Sequence, residues 1–142
     1  ARTLGAPGAQ VSFLVTGEQA QGASVFEFTV APGSSPGAHV HANIEEIFYV
    51  VDGEFDLRVG DRTERAGPGA LMFVPKGAAH TFTNPGPAPA RLLAIVSPPG
   101  LERYFEELVA ILNREGPRDP AAIATLRSKY GTEQLADLEI GG

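Results

Sequence analysis

Between residues 11 and 96 the chain is written in short apolar stretches, each closed by glycine, proline or a small polar residue. Residues 11–16 read as a first strand, ended by Gly17. Residues 23–30 alternate, with Ser24, Phe26, Phe28 and Val30 on one face and Val25, Glu27 and Thr29 on the other, the two-residue period of a half-buried strand. Residues 44–51 form the next long strand, and Asp52-Gly53 is the strongest two-residue hairpin signal in the chain. Residues 54–59 return with Phe55, Leu57 and Val59 facing one way and Glu54, Asp56 and Arg58 the other. Gly60-Asp61 makes a further tight turn, and the short polar run 62–65 suits a sheet edge. Residues 70–74, 79–83 and 91–96 complete the set, separated by turns at Gly67-Pro68-Gly69 and Pro75-Lys76-Gly77 and by the proline-rich loop 85–89. Residues 1–10, small and polar around Pro7 and Gly8, read as a loose lead-in. About eight or nine short strands at this spacing predict a sandwich or barrel.

The period changes after Pro98-Pro99-Gly100. Leu101, Tyr104, Phe105, Leu108, Val109 and Leu112 fall on one stripe of a helix, which Glu115-Gly116-Pro117 stops. Asp119-Pro120 is a capping residue followed by proline at the first helical position. A second helix is expected to run to about Tyr130, ended by Gly131, with residues 132–138 as a further short helix. These helices are too short to bury a core of their own, so their stripe must dock on the barrel or on a second chain. The expected organisation is a barrel over residues 1–98 and a C-terminal helical extension over 99–142.

Composition narrows the function classes. A chain of 142 residues with 43% hydrophobic and 20% charged residues is one domain with a real core. The net charge of −6 and the absence of any lysine or arginine block make nucleic acid and anionic membrane surfaces poor partners. There are no cysteines, which removes disulfides and thiolate metal sites. No apolar run approaches membrane-span length and no basic-then-apolar leader opens the chain, so a cytoplasmic location is expected.

The candidate chemistry sits in two short segments that hold all three histidines. His39 and His41 are two residues apart, so in an extended segment both rings project into one space. Glu46 follows five residues later, and His80 lies in the second segment. Imidazoles and a carboxylate on neighbouring strands can hold a divalent transition ion with positions left open. A carboxylate and three imidazoles inside a barrel would be costly to leave without a cation. Phe26, Phe28, Phe48, Phe55, Met72 and Phe82 are candidates to line a substrate cavity, and each one singly also suits the core. As a set they favour a flat organic ligand over a sugar phosphate. Lys76 is the only other basic residue in the two segments, whereas phosphate sites want cations or helix N-termini.

The first segment reads G-x5-H-x-H-x4-E-x6-G from Gly33 to Gly53, and the second G-x5-P-x-G-x2-H-x3-N from Gly69 to Asn84. Together they resemble the two motifs of the cupin superfamily with every fixed position filled, over roughly residues 10–98. The resemblance implies an all-β double-stranded β-helix, or jelly-roll barrel, with His39, His41, Glu46 and His80 as ligands of one divalent ion: Fe, Ni, Mn, Co, Cu or Zn. The family pattern favours Glu46 over Glu45 as the ligand and turns Glu45 outward. It leaves Asn84 and the motif glycines to turns. The short intermotif segment and the paired C-terminal helices look like small single-domain cupins related to quercetinases. That implies a metal-dependent dioxygenase of a flavonol-like or other small aromatic or enolic substrate, with Glu46 doubling as general base. Small cupins also include lyases, isomerases and cyclases that use the ion as a Lewis acid, and non-catalytic binding proteins. A homodimer is the assembly implied.

Overall fold

The computed structural model describes residues 2–141. Its strands are β1 (Arg2–Ala6), β2 (Ala9–Val15), β3 (Ser24–Val30), β4 (His39–His41), β5 (Glu45–Asp52), β6 (Phe55–Val59), β7 (Arg62–Ala66), β8 (Leu71–Val74), β9 (His80–Thr83), β10 (Ala90–Ser97) and β11 (Thr132–Gln134). Helices α1 (Glu102–Leu112) and α2 (Pro120–Lys129) lie between β10 and β11. The strands form two antiparallel sheets, ordered β1-β2-β3-β10-β5-β8 and β11-β4-β9-β6-β7. The fold is the mostly-β jelly roll that the motif resemblance implies, with the small C-terminal helical part that the apolar stripe predicts. None of the described helices is long and apolar enough to cross a membrane.

Alternation decides which side chains reach the space between the sheets. Glu46, Phe48 and Val50 on β5, and Ala90, Leu92, Ala94 and Val96 on β10, are buried, while Tyr49 between them is exposed. The inner faces share a cluster with Phe13, Phe26, Phe55, Leu57 and Phe82. Phe26 meets Phe13 edge-on at 5.5 Å, and Phe82 lies 5.6 Å from Phe48 and 5.9 Å from Phe55. Each ring fully withdrawn from water contributes roughly 1.5–3 kcal/mol relative to exposure. These rings therefore anchor the strands that carry the motif residues.

Three local expectations change. The lead-in is not loose: Arg2–Ala6 pairs with Ala9–Phe13 in a hairpin closed at Pro7-Gly8, where Gly8 has φ +89°. An edge strand with mostly exposed side chains carries no hydrophobic alternation, so the pattern could not reveal it. The Asp52-Gly53 turn forms, but it does not make a hairpin. It leads from β5 in one sheet to β6 in the other, as a jelly roll requires. Gly53 packs against the start of β10, where a Cβ would stand 2.6 Å from that of Ala90. Residues 132–138 do not continue as helix. Asp119 caps α2 through Ala122 N–H, and Gly131 (φ +71°) ends the helical region. Thr132–Gln134 then pairs with the free edge of β4. An unpaired strand edge is a ready template for such an addition.

The extension docks on the barrel of its own chain. The Phe105 ring of α1 stands 4.9 Å from Phe26 and 5.3 Å from Phe28. The tail beyond β11 runs back along residues 35–38, with backbone bonds between Ser35 and Glu139 and from Leu135 and Ala136 to Ala38. Gly37 (φ +74°) makes this approach possible, since a Cβ there would lie 2.4 Å from the Asp137 carbonyl oxygen.

Candidate metal centre

Strand geometry brings the three histidines together. His39 and His41 share the inner face of β4, and His80 on β9 is the direct cross-strand partner of His39. The ring centroids stand 4.3 Å (His39–His80), 4.8 Å (His39–His41) and 5.0 Å (His41–His80) apart. One ring nitrogen from each lies within 4.8 Å of the other two. Glu46 arrives from the opposite sheet on β5, so the cluster spans the barrel. Its Oε1 is 2.6 Å from His41 Nε2 and 3.7 Å from His80 Nε2. All four side chains are buried, while Glu45 points outward to solvent. Asn84 is a loop clamp: its side chain donates to the Val30 and Ala88 carbonyls and accepts from Gly86 N–H.

The outer ring nitrogens set the orientation of each imidazole. His39 Nδ1 donates to the Gly37 carbonyl at 2.7 Å, and His80 Nδ1 donates to the Ala78 carbonyl at 3.0 Å. A carbonyl only accepts, so in the neutral ring the proton stays on Nδ1 and Nε2 keeps its lone pair for the interior. Burial, with His80 and His41 nearby, pushes the His39 pKa well below its usual value and keeps that ring neutral. His41 Nδ1 pairs with the Thr132 hydroxyl at 2.7 Å. A hydroxyl can donate or accept, so His41 is free to give its Nε2 proton to Glu46 or its Nε2 lone pair to a cation. Burial pushes the Glu46 carboxyl up, but His41 and His80 outweigh it and hold the group well below the usual carboxylate range.

These features test the fit of a cation. His80 Nε2 is the one buried side-chain nitrogen or oxygen among the described residues without a hydrogen-bond partner, and such orphans are rare in folded proteins. It points among two more imidazoles and an ionised carboxylate. The three histidines can hold a divalent metal ion, and the donor set does not choose among the transition metals.

Beside the cluster lies a cavity of about 130 Å³. Phe28, Phe48 and Phe82 line it, together with the whole α1 stripe from Leu101 to Leu112. Phe26, Phe55 and Met72 do not. Phe26 is wedged between Phe13 and Phe105, Phe55 packs behind Phe82, and Met72 sits against the core. The site also contains residues that sequence reasoning missed. Thr132 belonged to a segment expected to be helical. Tyr104 counted only as packing. Arg127 falls on the buried face of α2 with Ile123 and Leu126, so a basic residue at apolar-stripe spacing was the available signal.

Residues 26–96, half of the chain, match the family pattern described as a cupin domain. The chain belongs to the cupin family. This cupin is 32% identical over 69 residues to the tetracenomycin polyketide synthase protein TcmJ of Streptomyces glaucescens, an alignment covering 49% of this chain and 46% of TcmJ. Among solved structures it resembles the ectoine synthase of P. lautus (TM-score 0.64, 16% identity, 75% of each chain). It also resembles a predicted oxalate decarboxylase of Thermotoga maritima (TM-score 0.59, 24% identity, 63% of this chain and 79% of that one). The chain spans half or less of the length of the first curated relatives it matches. At these identities the two structures establish the fold alone.

Proposed function

We propose that this cupin is a metal-dependent enzyme, a dioxygenase of a small aromatic or enolic compound. The observation that carries the reading is the junction of two features: the His39, His41, His80 and Glu46 cluster, and an apolar cavity that His39, His41 and Glu46 line and α1 covers. The cavity's 130 Å³ is close to the ~150 Å³ that accommodates a benzene in an engineered protein cavity. That supports a substrate with one ring, or an enol of similar size, over a whole flavonol. An ion held by the three histidines, with Glu46 as fourth ligand, would supply Lewis-acid polarisation of a substrate oxygen and, if redox-active, activation of dioxygen. In this reading Glu46 accepts the enol proton on a carboxylate oxygen. Phe28, Phe48 and Phe82 hold the flat ring, and the α1 stripe excludes water. Both atoms of dioxygen enter the product, so no external reductant is consumed.

The relationship to a polyketide synthase protein supports an enolic substrate, since the β-dicarbonyl groups of polyketides enolise readily. It also favours a second reading, in which the ion acts only as a Lewis acid in a lyase, isomerase or cyclase. Metal analysis of protein purified without an affinity tag, with oxygen uptake on the same sample, separates the two. Iron, nickel, manganese, cobalt or copper with substrate-dependent uptake supports the dioxygenase. Zinc without uptake supports Lewis-acid chemistry. No ion bound even after divalent metals are added back leaves a binding protein. His80→Ala should lose metal and activity together, and full activity in metal-depleted His80→Ala would overturn both enzyme readings.

The proposal includes a homodimer. The outward face of the six-stranded sheet places Phe73, Ile47 and Ile95 in one cross-strand row and Leu71, Tyr49 and Leu93 in the next. Leu71 and Phe73 are 63% and 50% exposed, a contiguous apolar patch of the kind that marks protein contacts.

A further inference from the structure

The cavity has a polar corner that the histidines and Glu46 do not use. Arg127 on α2 lines the cavity and is 1% exposed, the largest fully buried side chain among the described residues. Its Nε donates to the Tyr104 hydroxyl at 3.1 Å, one Nη to Gln134 Oε1 at 3.0 Å and the other to the Pro36 carbonyl at 2.6 Å. All three acceptors are uncharged, and none of the described ion pairs includes Arg127. The three bonds leave further N–H groups of the guanidinium free to donate. The Tyr104 hydroxyl, having accepted from Arg127, keeps its own proton to donate, and Tyr104 also lines the cavity.

A buried cation without a counter-ion is an expensive arrangement. Of the carboxylates in the cavity wall, Glu46 is already bound to His41. Glu139 lies at the exposed rim, where water screens it. Once a divalent ion occupies the histidines, the wall carries two positive charges from the ion and one from Arg127 against one negative charge from Glu46. An anion with an apolar body is the occupant that such a wall takes. Guanidinium groups are well shaped for carboxylate oxygens.

We propose that Arg127 and Tyr104 form a carboxylate-binding subsite, making the ligand a small aromatic or enolic acid. The acid group sits at Arg127 and the enol or phenol oxygen faces the histidines. This rests on the metal-dependent reading for the ligand's orientation, but the subsite itself belongs to the protein without metal.

The test uses metal-free protein and two probes, salicylate and salicylamide, which share ring and hydroxyl and differ in one charge. Calorimetry on wild type should show salicylate bound about tenfold or more tightly than salicylamide, a difference of ~1.4 kcal/mol. Arg127→Gln should erase that preference, weakening salicylate about tenfold more than it weakens salicylamide. Tyr104→Phe should reduce it. Equal binding of the two probes by metal-free wild type overturns the proposal, whether or not the Arg127 variant folds. So does a preference that survives in folded Arg127→Gln, or one that appears only after zinc is added, because the ion alone then reads the carboxylate. A failure of the enzyme reading would show in metal content and oxygen uptake and would leave this comparison untouched.

Discussion

Thr132→Val removes one oxygen and nearly nothing else. Thr132 is buried, and its hydroxyl is the partner of His41 Nδ1 at 2.7 Å. For His41 to offer its Nε2 lone pair to an ion, Nδ1 must carry the proton and the hydroxyl must accept it. Valine leaves that N–H buried without a partner, a cost of about 1–3 kcal/mol. With ~1.36 kcal/mol per decade, zinc affinity should fall roughly 5- to 150-fold, in line with the 10- to 100-fold effects of groups behind metal ligands. Competition for zinc against a chromogenic chelator at neutral pH measures it directly. Thr132→Ser, which keeps the hydroxyl, should stay near wild type. A Thr132→Val protein that binds zinc within about twofold of wild type, well below the ~10-fold floor of such effects, would refute the claim that β11 belongs to the metal centre.

Three further outcomes are expected. The folded-state pKa of His39 lies below its unfolded value of 6.5, so the unfolded chain takes up the proton first as pH falls. Stability of the metal-free protein is therefore complete above about 6.5 and declines below it; the urea midpoint should follow that course, and His39→Asn should flatten the slope. Glu46 adds a second decline below its unfolded value of 4.5, because its folded pKa is also lowered. Gly37→Ala forces a Cβ against the Asp137 carbonyl and strains a positive-φ position, so the tail beyond β11 should loosen. Greater proteolysis near residues 132–141 with weaker zinc binding is the expected signature, and an unchanged digest would count against that docking. Phe73→Glu should turn a dimer into a monomer by light scattering without changing metal content; a wild type that is already monomeric removes the assembly proposal.

The two motif segments made the barrel and its four inward polar residues legible in advance. Their placement depends on local rules: alternation sends His39 and His41 to one face, and glycine or proline closes each strand. Helices α1 and α2 were equally readable from an apolar stripe and from the Asp119-Pro120 start. The rest depended on contacts distant in sequence. Thr132 becomes a strand residue only because β4 has a free edge, and it reaches His41 across 91 positions. The α1 stripe is apolar whether it fills a core or covers a cavity, so only docking on Phe26 and Phe28 decided between them. The same holds for Phe28, Phe48 and Phe82 against Phe26, Phe55 and Met72: both sets obey the strand period, which specifies a face and says nothing of what lies opposite. Arg127 is the sharpest instance: its spacing from Ile123 and Leu126 marks a face of α2, but the partners that hold the buried charge, Pro36, Tyr104 and Gln134, come together only in the fold. Periodicity and turn chemistry act over a few residues, and they determined the short strands, their turns and the shared face of His39 and His41. Burial and the pairing of segments distant in sequence exist only once the sheets have closed, and they decided the size of the cavity, its covering helix and the charge at its corner.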